Sequence, residues 1–261
     1  SQTDYIGRVL ECFNMHTTKS ASTPLPINFR LTQRDCSTSG PKGEDMKSVS
    51  YSPALGSLMY AMVATRPDIA HVVGVVNKFM HKPGLIALER SQACFQNLAG
   101  TKDHGILFGP NKNSGVVGYI DSDFLGCVDS RKSITRYCFK FGNGAISWKS
   151  KLQECTTTST TEAKYVAVFD AAKEALWLGR LAHTFRQVDS DSAPVVYSDN
   201  QSAVALSKNP VHHNASKYIE VRYHFVWECV ISGKSGLQKI STTDNVVDGM
   251  TKCLWADRFR S

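Results

Sequence analysis

The sequence predicts an α/β protein, a mixed sheet covered by helices and preceded by a smaller helical segment. Three observations carry this reading. Strand-like runs crowd between residues 105 and 149, two of them joined by Gly142-Asn143-Gly144. A long run of helical period follows at 160–185, and short apolar runs at 194–198 and 236–241 then alternate with helical stretches. Strands first, then alternating strand and helix, suit a mixed sheet with helical cover.

Residues 1–56 read as irregular, with Thr, Ser, Pro, Lys and Gly concentrated at 17–50 as in a surface loop or tether. Helical patterning begins near Leu55. Pro67 suits a first helical turn ahead of Ile69, Val72, Val73, Val76 and Phe79, and Pro83-Gly84 stops the run. A further helix covers about 85–99 and ends at Gly100. Runs at 105–108, 115–121, 133–141 and 145–149 read as strands. Gly142-Asn143-Gly144 makes a hairpin turn because Gly and Asn tolerate positive φ. The remaining helices are expected at 160–185, 199–207, 216–231 and 243–252, the last with Asp244 as N-cap. The division expected is 1–110 and 112–261.

Composition narrows the function classes. The 261 residues are 42% hydrophobic and 20% charged, which excludes wholesale disorder. No apolar run approaches the ~18 residues of a membrane span; the best, 69–76, is interrupted by His71 and Gly74. No membrane partner is expected, and the compartment expected is intracellular, cytoplasmic or nuclear. The start, Ser1-Gln2-Thr3-Asp4, has neither an initiator Met nor a signal peptide and reads as the interior of a longer chain. The net charge of +7 permits a polyanion partner without demanding one. The eight cysteines contain no C-x-x-C spacing and read as free thiols.

Four acids stand at element ends or starts: Asp121 and Asp199 close strands, Glu162 opens the long helix, and Asp248 lies in the terminal helix. If the strands at 115–121 and 194–198 are parallel neighbours, Asp121 and Asp199 meet at the carboxyl edge, where open α/β sheets place their sites. Two carboxylates ~4 Å apart repel by about 4 kcal/mol at an effective dielectric of ~20. Such a cluster therefore needs protons or cations, and hard divalent ions with oxygen ligands answer that need. Each acid has a structural alternative too. Ser159-Thr160-Thr161-Glu162 is a capping box, Asp199 can cap the helix after it, and Asp121 can be a strand-end acid.

A resemblance joins these residues. The stretch Tyr119-Ile-Asp-Ser-Asp123 through Ser133 resembles the first ribonuclease H motif of copia-type LTR retrotransposon Pol polyproteins. So do Ile146-Ser-Trp-Lys-Ser-Lys151, Ser159-Thr-Thr-Glu-Ala-Lys-Tyr165 and Lys173-Glu-Ala-Leu-Trp-Leu178. The match continues through Tyr197-Ser-Asp-Asn-Gln-Ser202, Lys208-Asn-Pro210, Arg222-Tyr-His-Phe225 and Asp248-Gly-Met-Thr-Lys252. Ser22-Thr-Pro-Leu25, Gly56-Ser-Leu-Met-Tyr60 and Thr65-Arg-Pro-Asp-Ile69 look like the end of that family's reverse transcriptase region. The Tyr-x-Asp-Asp tetrapeptide of the polymerase centre does not occur.

The resemblance implies a ribonuclease H-like fold, a five-stranded mixed sheet with helices on both faces. It also implies hydrolysis of the RNA strand of RNA–DNA hybrids with two Mg²⁺ or Mn²⁺ ions. Asp121, Glu162, Asp199 and Asp248 fall on the family's metal-binding acids, with Asp123 a neighbour. One ion, on Asp121 and Asp199 with support from Asp248, would activate water. The other, on Asp121 and Glu162, would stabilise the leaving 3′-oxygen. The implied partners are the hybrid and the upstream reverse transcriptase region of the same polyprotein. Departures from the family pattern include Lys164 where the family has an acid, Phe124-Leu125 in place of a usual Trp-Ala, Arg136 where a small residue is common, and Gly249 beside Asp248. The alternative is a catalytically inactive nucleic-acid-binding or interaction fragment from a decayed element copy.

Other residues read more plainly. Lys149, Lys151, Arg131 and Lys132 flank the hairpin, as phosphate contacts or as a solvated strand edge. His212-His213 lack a Cys or acid at ligand spacing, and His224 reads as half-buried packing. Trp148 and Trp177 read as core.

Overall fold

A computed structural model describes residues 1–25, 29–36, 50–109, 115–185, 192–208 and 220–247. The chain divides into two compact units, the first over Ser1–Ile106 and the second beginning at Leu107.

The first unit is helical. Helices α1 (Thr3–Cys12), α2 (Tyr51–Ala64), α3 (Ala70–Asn77) and α4 (Leu85–Gly100) surround one core. The sequence reading of 1–56 as irregular is corrected by α1. Its Ile6 and Leu10, one turn apart, are buried in that core with Leu55, Leu58, Val76 and Leu98. Ten residues give a helix little stability alone; packing of its apolar face supplies it. Pro67 opens a 3₁₀ turn, Pro67–Ile69, that leads into α3, because proline at a first position sacrifices no backbone bond. Arg66 beside it is buried and ties this turn to the end of α4. Its Nη2 bonds Asp68 at 2.6 Å and the Thr101 hydroxyl at 2.7 Å, and its Nη1 donates to the Thr101 carbonyl at 3.0 Å.

The second unit is a five-stranded mixed sheet with flanking helices. Its strands are β1 (Val117–Asp123), β2 (Ile134–Phe141), β3 (Gly144–Leu152), β4 (Val195–Ser198) and β5 (Gly236–Lys239), in the order β3-β2-β1-β4-β5. β1, β2 and β3 pair antiparallel; β1 with β4 and β4 with β5 pair parallel. The turn between β2 and β3 is Gly142-Asn143, with φ of 54° and 65°. Two positive φ angles match the right-handed twist of the strands they join. The run at 105–108 is not a strand: residues 104–109 carry no regular structure, and Leu107 and Phe108 are exposed.

Helix α5 (Thr160–Thr184) lies on the sheet, followed in sequence by α6 (Gln201–Lys208) and α7 (Glu220–Ile231). Ala163, Ala167, Ala171 and Ala175 of α5 recur every fourth residue and are all buried, so a smooth stripe lets the helix approach closely. At Gly179 an added Cβ would stand 2.8 Å from the Pro194 ring. The core joins Ile120, Phe139, Tyr165, Val196 and Leu237. Three assignments change. Trp177 is 57% exposed rather than core, because the alanine stripe occupies the sheet-facing side of α5. His224 is exposed on α7, and Trp148 is half-buried.

Candidate active site

Parallel pairing of β1 and β4 brings their carboxyl ends side by side, with Ile120 opposite Ser198. Asp121 is the next residue of β1, and Asp199 follows β4 directly. Helix α5 delivers Lys164 to the same edge. Its ammonium lies 3.4 Å from Asp121 Oδ1 and donates a short hydrogen bond to Asp199 Oδ1. The three side chains are only 12–18% exposed. Burial works against the charge on Lys164, but the bond to Asp199 and the charges of Asp121 and Asp199 outweigh it and hold the lysine above its ordinary pKa.

A second cation supports Asp121 from the neighbouring strand. Arg136 is its cross-strand partner, is fully buried, and sets Nη1 3.9 Å from Asp121 Oδ2. Its Nη2 lies 3.7 Å from Asp123 Oδ2, at the more exposed end of β1. The segment after β5 closes on the same edge. Asn245 donates to the carbonyl of Ile120 at 2.9 Å, and the Thr242 hydroxyl donates to Asp199 Oδ2 at 3.4 Å.

The acids predicted from sequence therefore separate. Asp121 and Asp199 come together on one ammonium. The alternative of Asp199 as N-cap is corrected: Asn200 caps α6, its Oδ1 accepting from Ala203 N–H at 2.7 Å, which leaves the Asp199 carboxylate to face Lys164. Glu162 is bound by its own helix start. Ser159 Oγ accepts from Glu162 N–H at 3.1 Å, and Glu162 Oε2 accepts from the Thr158 N–H at 2.5 Å and its hydroxyl at 2.7 Å. Asp248 and the pair His212-His213 lie outside the described residues. The terminal helix expected at 243–252 is described only to Val247, and there Thr242–Asp244 form a turn. Asp244 is held by Ser241, whose Oγ donates to Asp244 Oδ2 at 2.7 Å and accepts from Asp244 N–H at 3.3 Å.

The basic residues of the hairpin are placed separately too. Lys149 leans on α5, 3.4 Å from Asp170 Oδ2 and 5.7 Å above the Tyr137 ring. Lys132 donates to the Glu154 carbonyl at 2.6 Å. Lys151 is 62% exposed and 3.9 Å from Glu154, and Arg131 is exposed in the loop before β2. Site members the sequence reading missed are Lys164, Arg136, Thr242 and Asn245. In the sequence the first two stood out only as departures from the family pattern.

Among the described residues no three His, Cys, Asp or Glu side chains gather as a metal set. Asp121 and Asp199 nonetheless present hard oxygen donors to one cation, and that donor chemistry suits Mg²⁺ or Mn²⁺.

The five-stranded mixed sheet with flanking helices, carrying acids at the carboxyl ends of β1 and β4, is the arrangement expected of a ribonuclease H-like fold. No family model matches the chain. It is 45% identical over 259 residues to the retrovirus-related Pol polyprotein from transposon TNT 1-94 of Nicotiana tabacum, covering 99% of this chain. It is 34% identical over 261 residues to the corresponding polyprotein from transposon RE1 of Arabidopsis thaliana. Over its whole length the chain is similar to one part of these retrovirus-related transposon Pol polyproteins, and it spans 19% and 17% of the length of the two relatives. Among solved structures it is similar to LC11-RNase H1, isolated from compost by a metagenomic approach, at 14% identity and a TM-score of 0.41. That likeness covers 57% of this chain and 99% of the other. Among the described residues no helix is long and apolar enough to cross a membrane.

Proposed function

We propose that the sheet unit is a ribonuclease H-type endonuclease that cleaves the RNA strand of RNA–DNA hybrids as part of a transposon Pol polyprotein. The observation that carries this reading is the convergence of Asp121 and Asp199 on one cation at the carboxyl ends of adjacent parallel strands. Asp121, Asp199, Glu162 and Asp248 would hold two Mg²⁺ or Mn²⁺ ions. When bound, such ions activate water and stabilise the leaving 3′-oxygen.

The chain's own residues set the terms. Asp121 and Asp199 supply fixed negative charge in a site mostly shielded from water, where electrostatic interactions are strongest. Arg136 fixes Asp121 from behind. Thr158 engages only Oε2 of Glu162, so Oε1 is the atom that would serve a ligand role. Lys151 and Arg131 are the exposed members of the basic group and suit phosphate contacts, with Lys132 and Lys149 beside them. Recognition would rest on groove shape and 2′-hydroxyl contacts rather than base sequence. The upstream reverse transcriptase region is the partner expected within the same polyprotein.

A second reading, hybrid binding without cleavage, is favoured by one observation: the cation between Asp121 and Asp199 is the chain's own Lys164. Incubation of a labelled hybrid with Mg²⁺ separates the two. The endonuclease reading expects cleavage by the wild type and at least a hundredfold loss in Asp199→Asn with binding retained, an expectation based on loss of a metal ligand. Binding without cleavage by the folded wild type would establish the second reading.

A further inference from the structure

We infer that Lys164 is a resident counter-cation that competes with a divalent ion for Asp121 and Asp199. The inference deepens the metal-site reading above and rests on it. The ammonium stands between the two carboxylates, within ion-pair distance of one oxygen of each. A metal ion that used both oxygens would need the same space. Crowding is compounded by charge. Asp121, Asp123 and Asp199 face Lys164 and Arg136, so these three carboxylates and two cations together carry a single net negative charge.

The two cations differ in what they can yield. Arg136 is fully buried on β2, which is paired on both sides by β1 and β3. Lys164 extends from α5 on four flexible carbons and is 18% exposed, so its head can swing towards water. Helix geometry sharpens the competition. Residues two apart on a helix point roughly 200° from each other. Lys164 faces the carboxylates while Glu162 is turned to Thr158. The described arrangement therefore presents a cation from α5 where a third carboxylate would strengthen metal binding. Displacement of Lys164 lowers metal affinity by whatever its contacts contribute, and the carboxylates stay neutralised in the absence of metal.

The test is calorimetric titration of the full chain with Mn²⁺, backed by electron paramagnetic resonance of free Mn²⁺. Lys164→Met keeps length and removes charge, and is expected to bind Mn²⁺ at least tenfold more tightly than wild type. Lys164→Arg keeps the charge and is expected to show no such gain. Adding Asp199→Asn to Lys164→Met should abolish the gain, which places it at this site. Should Lys164→Met not fold by circular dichroism, Lys164→Gln, which keeps a donor for Asp199, serves in its place. If wild type binds Mn²⁺, Asp199→Asn loses it, and the folded neutral variant binds no more tightly, the competition is overturned while the metal-site reading stands. If no variant binds Mn²⁺ at all, both are overturned.

Discussion

Glu162 occupies one place in the structure and another in the proposed chemistry, and the two can be separated by a single atom. Its carboxylate accepts two bonds from Thr158, and its N–H is accepted by Ser159 Oγ, which together satisfy the first turn of α5. Gln keeps an acceptor oxygen for Thr158 and loses only the charge near a helix N-terminus, so Glu162→Gln should cost within about 1 kcal/mol of stability. Ser159→Ala removes the N-cap acceptor and should cost ~1 kcal/mol. As a metal ligand, Glu162 cannot be replaced by Gln, because the amide brings no charge beside a divalent ion. Glu162→Gln is therefore expected to abolish most single-turnover hybrid cleavage, while Ser159→Ala cleaves normally in its folded fraction. Melting temperature and cleavage measured on both variants decide the matter. An active wild type with an equally active Glu162→Gln would leave Glu162 with the capping role alone.

At the scale of elements, the close approach of β1 to β2 is the feature most open to a direct test. Gly118 pairs with Phe139, and a Cβ at Gly118 would lie 2.4, 2.8 and 2.9 Å from three atoms of that ring. Phe139 is fully buried and cannot swing away. Gly118→Ala is therefore expected to destabilise the sheet unit by about 1–3 kcal/mol through overpacking, read as a lower urea midpoint. Phe139→Leu in the same chain should recover part of the loss, and an unchanged midpoint in Gly118→Ala would contradict this packing. The same elements show what a sequence can reveal. The strands β1 to β3, the Gly142-Asn143 turn and α5 were legible because alternation, positive-φ residues and an alanine stripe are local signals. Helix α1 was not, since ten residues become helical through burial of Ile6 and Leu10 against helices far along the chain. Proximity of Asp121 and Asp199 followed from the parallel pairing expected of their strands. That Lys164 would lie between them was not legible: periodicity sets the face a side chain leaves from, and the reach of a lysine decides where its charge ends.

The whole molecule consists of two units with separate cores, one gathered on Leu55, Leu58 and Val76 and one on Ile120, Phe139 and Tyr165. Thr101 is anchored to Arg66, but residues 102–105 and Leu107 and Phe108 are exposed and carry no helix or strand. Beyond them, Gly109 N–H donates to the Gly142 carbonyl at 2.9 Å, which joins the chain to the β2–β3 turn. Exposed backbone without regular hydrogen bonds is where proteases cut first. Limited trypsin digestion is therefore expected to cleave after Lys102 early, ahead of Lys140 and Lys149, which lie in paired strands. Since the sheet unit has its own core, the fragment beginning at Asp103 should keep a cooperative thermal transition and the near-ultraviolet signal of its packed aromatic pairs, Tyr165 with Tyr223 and Tyr119 with Tyr197. Resistance at Lys102, or a purified fragment without a cooperative transition, would show that the sheet unit depends on the helical unit for its stability. Proposals for hybrid cleavage would then apply only to the joined chain. A stable fragment would allow Mn²⁺ binding and hybrid cleavage to be assigned to the sheet unit alone.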